Sequence, residues 1–151
     1  MGFVNFQAII DFAIEKEKEA AAFYEVASEM AKLAGAREML KEFAAQERKH
    51  QSMLENIEEQ TLSGYDFKPI ADLKRSDYLT DIEYEEGMGY RDILRIGMKR
   101  EEKSKALYTV LEKHAPDAST RKLFKILVQE ESKHKQSLET LYDDLMAQSG
   151  D

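Results

Sequence analysis

The stretch Leu40-Lys-Glu-Phe43-Ala-Ala-Gln-Glu47-Arg-Lys-His50-Gln-Ser-Met-Leu54-Glu-Asn-Ile57 decides how the chain folds. Its apolar residues Leu40, Phe43, Leu54 and Ile57 recur at alternating steps of three and four, which aligns them on one face of an α-helix. The same rhythm requires two more members between Phe43 and Leu54. The sequence puts Glu47 and His50 there. A carboxylate and an imidazole thus occupy the middle of a seam that should be buried.

The pattern occurs twice. A shift of 84 residues lays Glu47 on Glu131 and His50 on His134, and it lays Glu17 on Glu101 and Tyr24 on Tyr108. Ala22, Val26, Arg37, Lys41, Lys49, Leu54 and Glu55 fall on identical residues as well. Apolar positions match in kind, Ile10 with Leu94, Ile14 with Met98, Leu40 with Phe124 and Phe43 with Leu127. An internal repeat of this length marks two copies of one supersecondary unit.

Each copy reads as a helical hairpin. The periodicity predicts helices over about 5–30, 36–60, 90–114 and 117–147. Gly35 is expected to end the first helix in a left-handed turn, and Pro116 stops the third. Asp117 suits the N-cap of the fourth. Short breaks make each pair antiparallel. Residues 61–89 carry Ser63-Gly64, Pro69, Gly87 and Gly89 without a sustained period. A helix of about 25 residues is about 38 Å long, so this segment is read as a crossover along the bundle, with a short helical turn near Ile70 to Arg75. The expected architecture is all-α: one antiparallel four-helix bundle made of two repeated hairpins.

The first and third helices also carry a carboxylate in the seam. Glu17 follows Ile10 and Ile14 and precedes Ala21 and Tyr24. Glu101 follows Leu94 and Met98 and precedes Tyr108 and Leu111. Four carboxylates in one core are costly, since each buried ion loses several kcal/mol of solvation. Two divalent cations balance four glutamates, and neutral imidazoles complete the coordination without adding charge. Glu-x-x-His places both side chains on one helical face, so one ion can take a ligand from each. Glu17, Glu47, His50, Glu101, Glu131 and His134 are therefore the candidate metal ligands. Carboxylate and imidazole donors without thiolate point to iron or manganese rather than structural zinc.

Other polar residues have plainer readings. Glu15, Glu19 and Glu102 point off the seam, Glu130 lacks the three-residue step to His134, and His114 belongs at a helix C-terminus. Tyr24 and Tyr108 lie two turns beyond Glu17 and Glu101. They read either as core aromatics or as hydroxyls that support the ligand carboxylates.

Composition narrows the function. The 151 residues carry a formal charge of −8, so a nucleic-acid partner and an anionic membrane surface are disfavoured. No cysteine is present, which excludes disulfides, thiolate zinc sites, iron–sulfur clusters and cysteine nucleophiles. No secretory signal or membrane span is apparent, and a soluble, cytoplasmic protein is expected.

Glu17-Lys-Glu-Ala20-Ala-Ala-Phe-Tyr24, Glu47-Arg-Lys-His50, Glu101-Glu-Lys-Ser104-Lys-Ala-Leu-Tyr108 and Glu131-Ser-Lys-His134 together resemble a rubrerythrin-related member of the ferritin-like superfamily, over about residues 5–147. The resemblance implies two iron ions bridged by Glu47 and Glu131, with Glu17 and Glu101 as terminal ligands. His50 and His134 would complete the sites, and Tyr24 and Tyr108 would hydrogen-bond ligand carboxylates. Manganese or mixed occupancy is an alternative. Family members reduce hydrogen peroxide at a diferrous centre and take part in oxidative-stress defence; related bundles oxidise Fe(II) with dioxygen or peroxide. Many are homodimers. The resemblance departs in two places. No rubredoxin-type cysteines are present, so a separate electron donor such as a rubredoxin is expected. Ser104 also stands where the family has an additional glutamate used in redox-linked ligand exchange. The leading expectation is a di-iron peroxidase-type oxidoreductase. The alternatives are a ferroxidase or iron-handling protein, and a structural metal-binding interaction module.

Overall fold

Amphipathic periodicity and local capping place four helices along the chain: α1 (Phe6–Met30), α2 (Ala34–Glu55), α3 (Tyr90–Lys113) and α4 (Ala118–Gln148). A computed structural model describes residues 6–57, 64–67, 69–71 and 83–148, and among these no strand occurs. The chain divides into two compact units, Met1–Thr61 and Leu62–Asp151, each holding one hairpin. No helix among the described residues is long and apolar enough to cross a membrane.

In the first unit α1 packs on α2. Ile10, Ala13, Ala21, Tyr24 and Ala27 are buried on α1, and Leu40, Phe43, Ala44 and Leu54 on α2. Tyr24 meets Phe43 edge to face with ring centroids 5.5 Å apart, a favoured geometry for two ring quadrupoles. In the second unit α3 packs on α4 through Leu94, Met98, Tyr108 and Leu111 against Leu123, Phe124, Leu127 and Leu138. Here Tyr108 stacks on Phe124 at 6.3 Å. The two copies exchange their aromatic by one turn. Leu40 and Phe43 of α2 correspond to Phe124 and Leu127 of α4, so each tyrosine keeps an aromatic neighbour from a different register.

The first hairpin turns differently from expectation. Gly35 lies inside the first turn of α2, and among the described residues the positive-φ glycines are Gly64 and Gly87. The break is Ala31–Leu33, with Leu33 extended at φ −86° and ψ 134° as the N-cap residue. Arg37 replaces the glycine stop: its Nη2 donates to the Ala31 carbonyl at 3.0 Å and so occupies an acceptor beyond the end of α1. Helical bonding begins at Leu33, whose carbonyl accepts from Arg37 N–H at 3.0 Å, so α2 starts two residues earlier than expected. Its end also comes earlier, at Glu55. Asn56 closes it by donating both its backbone N–H and its side-chain amide to the Ser52 carbonyl, at 3.0 and 2.9 Å. An asparagine that bonds back to the preceding turn competes with helix continuation.

The second hairpin turns where expected. His114 is the C-cap of α3, its N–H directed to the Val110 and Leu111 carbonyls at 3.2 Å. Asp117 caps α4, Oδ1 accepting from Thr120 N–H at 2.7 Å. Of the crossover, Tyr65 and Phe67 pack edge to face at 4.7 Å. The helical turn expected near Ile70 to Arg75 falls largely outside the described residues, and Ile70 and Ala71 themselves are not helical.

The amide donor of Thr120 holds the Asp117 carboxyl below its ordinary value. A depressed carboxylate stabilises the fold fully above the unfolded-state value, about pH 4, and that contribution disappears as pH falls through the lower folded value. Asp117→Ala should lower Tm by a few degrees at pH 7. In thermal melts the gap to wild type should close on acidification below about pH 4.

Candidate metal centre

Each hairpin builds the same buried triplet. In the first, α1 supplies Glu17 and α2 supplies Glu47 and His50. In the second, α3 supplies Glu101 and α4 supplies Glu131 and His134. All six are at most 2% exposed. They are buried because they occupy seam positions: Glu17 one turn after Ile14, and Glu47 and His50 between Phe43 and Leu54.

Within the first triplet one ligand-type atom from each residue lies within 4.8 Å of the others, and the same holds for Glu101, Glu131 and His134. His50 Nδ1 stands 3.6 Å from Glu17 Oε2 and 3.5 Å from Glu47 Oε1. In the second triplet His134 Nδ1 stands 3.6 Å from Glu101 Oε1. These separations are at or beyond the outer limit for N–H···O bonds. They suit donors around a shared cation: two atoms each about 2.1 Å from one ion sit about 3.0–3.4 Å apart at octahedral to tetrahedral angles. Two carboxylates and one imidazole per hairpin form a hard, anionic donor set, matched to a divalent ion such as iron or manganese. The six residues of the sequence reading thus fit a metal-binding role, three in each hairpin.

Tyr24 and Tyr108 are also fully buried on the ligand-bearing helices, and their rings are held by Phe43 and Phe124. Glu15 and Glu19 are exposed and Glu102 is half-buried, as their off-seam positions require. Glu130 has a partner that periodicity does not reveal. It accepts a 2.7 Å hydrogen bond from Tyr65 Oη and pairs with Lys133 Nζ at 3.1 Å, while Lys133 lies over the Tyr65 ring at 5.6 Å. Part of the crossover is thereby fastened to the turn of α4 that carries Glu131.

Sequence reasoning overlooked Lys135 and Glu139, which are 4% and 0% exposed. The available signal was their register. Lys135 and Glu139 stand four and eight residues beyond Glu131, on the same helical face. The repeat counterpart of Glu139, Glu55, is exposed, so identity between the copies concealed a difference in burial.

The rubrerythrin family model matches residues 8–142. Two solved structures share the fold. A hypothetical protein of Pyrococcus furiosus superposes with a TM-score of 0.72 at 22% identity, over 95% of this chain and 92% of that one. A candidate ferritin-like diiron-carboxylate protein of Thermotoga maritima gives 0.70 at 22% identity, over 95% and 97%. The match to the latter over nearly the whole length gives this chain an all-α, ferritin-like four-helix fold. No curated protein sequence matches the chain.

The buried carboxylates make a prediction of opposite signs. Divalent metal should raise Tm and chelation should reverse the rise. Glu47→Gln should stabilise the chelated protein by about 1–3 kcal/mol, because one buried charge is gone, and destabilise the metal-replete protein through loss of a ligand. Paired melts with and without metal measure both changes.

Proposed function

Because this chain belongs to the rubrerythrin family, we propose that its two triplets together hold two iron ions and that the centre reduces hydrogen peroxide to water. The observation that carries the reading is the duplicated, fully buried Glu/Glu/His set. In this reading Glu17 and His50 would hold one ion, Glu101 and His134 the other, and Glu47 and Glu131 would be shared between them. Bound ferrous ions would supply the two electrons that, with two protons, cleave the O–O bond of peroxide to two waters.

The chain's own residues set the conditions for that chemistry. Four carboxylates match the four positive charges of two divalent ions, and neutral imidazoles add ligation without adding charge. The apolar residues flanking each ligand, Ile14 and Ala21 around Glu17 and Met98 before Glu101, limit water at the site. The Tyr24 and Tyr108 hydroxyls would orient ligand carboxylates by hydrogen bonding. Ser104, half-buried three residues after Glu101, cannot ligate as a carboxylate, so ligand exchange through this position is absent from the mechanism. Manganese or mixed occupancy suits the same donors. The family resemblance further supports a homodimer served by a separate donor such as a rubredoxin. Absence of cysteine fits a reducing cytoplasm.

Anaerobic loading should saturate at two Fe(II) per chain, and one equivalent of peroxide should oxidise both ions within seconds, read by Mössbauer spectroscopy. His50→Ala and His134→Ala should each reduce the stoichiometry toward one. Tyr108→Phe should keep both ions and slow oxidation by about 10-fold or more. Continued iron uptake beyond two per chain would instead identify a ferroxidase. Metal-dependent stability without oxidation would identify a structural metal module.

A further inference from the structure

Two buried charges in the second hairpin have no part in the coordination described above. Lys135 is 4% exposed and Glu139 is 0% exposed. They stand four and eight residues after Glu131 on α4, so Lys135 lies between Glu131 and Glu139 along one helical face. Lysine and glutamate are rarely buried except as partners, and a step of four on one helix brings such a pair within reach. Helical side chains lean toward the N-terminus, which sets the ammonium group nearer the triplet than the Glu139 carboxylate is. The positive member is thus one turn from a ligand carboxylate, and the negative member two.

The repeat supplies an internal comparison. Gln51 stands in α2 where α4 has Lys135, and it is neutral and half-buried. Glu55 matches Glu139 but is exposed, where water and salt screen its charge. Among the described residues, only the second triplet has further buried charges on its own hairpin. The copies are alike in their donors and differ in the field around them. With two ferrous ions the four carboxylates are balanced, and oxidation of both ions adds two positive charges. A buried cation one turn away opposes that addition. At the effective dielectric of a protein interior, a unit charge within about 10 Å shifts an ionic equilibrium by about tenfold or more.

We infer that Lys135, balanced by Glu139, biases the ion held by Glu101 and His134 toward its ferrous state and weakens the binding of a divalent cation there, so that the two ions of the centre are inequivalent. This rests on the di-iron part of the reading above and adds an order of electron entry to it. Reduction of the oxidised centre takes two electrons from the separate donor, one for each Fe(III), and no bond is made or broken. The ion on the Lys135 side accepts its electron first.

Titration of the chelated protein with Co(II), followed by visible absorption, reads the charge effect without iron or peroxide. In a His50→Ala background, which leaves the second triplet intact, Lys135→Gln should bind Co(II) at least about tenfold more tightly. Glu139→Gln should bind it several-fold more weakly. Loss of packing alone would weaken binding in both. Lys135→Arg keeps the charge and should stay within about threefold of its parent. Circular dichroism checks folding, and the double variant Lys135→Gln with Glu139→Gln leaves neither charge unbalanced. It should bind several-fold more tightly than its parent even where a single variant does not fold. In the otherwise native iron-loaded protein, Lys135→Gln should lower the potential of the more easily reduced iron by about 59 mV or more, a tenfold change in its equilibrium. The mixed-valent state, followed by electron paramagnetic resonance, should then span a narrower range of potential. Shifts of one sign in both single variants, no shift in folded protein, or a shift in Lys135→Arg as large as in Lys135→Gln would overturn the inference. Opposite shifts in a protein whose iron form ignores peroxide would instead overturn the peroxide reading and leave the inequivalence standing.

Discussion

The burial of like charges governs this molecule. Each hairpin keeps two carboxylates and an imidazole at the centre of an otherwise apolar seam, where an uncompensated ion loses several kcal/mol of solvation. Hydrophobic burial above and below the triplet sets the helices; the triplet itself opposes them until a cation enters. A bound cation would therefore act on the fold as much as on any chemistry: without it the apolar residues stay in contact while like-charged carboxylates face one another at the middle of both hairpins.

Much of this was legible in the sequence because the information is local and periodic. Glu47 and His50 stand out because Phe43 and Leu54 define the seam around them, and the second copy removes the ambiguity of a single Glu-x-x-His. Pro116 and Asp117 mark the second hairpin turn with a breaker and a cap, and both act as their chemistry suggests. Gly35 misled because glycine permits a left-handed stop without requiring one. Arg37 reaches the Ala31 carbonyl, and the glycine is absorbed into the next helix.

What was illegible depends on tertiary packing. Nothing local distinguishes Glu55 from Glu139, yet one is exposed and the other buried. The link from Tyr65 to Glu130 joins residues 65 positions apart, beyond the reach of helical periodicity. Phe43 and Phe124 show the same limit in milder form. The copies align by residue, but the tyrosines choose their aromatic neighbours by shape, one turn apart. Identity between repeats therefore located the buried carboxylates and imidazoles well and the packing around them poorly.

The hairpin turns carry a constraint on how such a sequence can drift. Glu17 and Glu47 are separated by 30 residues, as are Glu101 and Glu131, although the turns share almost no chemistry: Ala31-Lys-Leu33 in one, Ala115-Pro-Asp117 in the other. Every residue added to a helix rotates the remainder of that helix by about 100°. A single insertion inside a helix, between the turn and its buried glutamate, would swing that glutamate away from its companions. The helical stretches between each turn and its glutamate are thus held to their length, while the turns reach the same spacing by different means, Arg37 closing one and Asp117 capping the other.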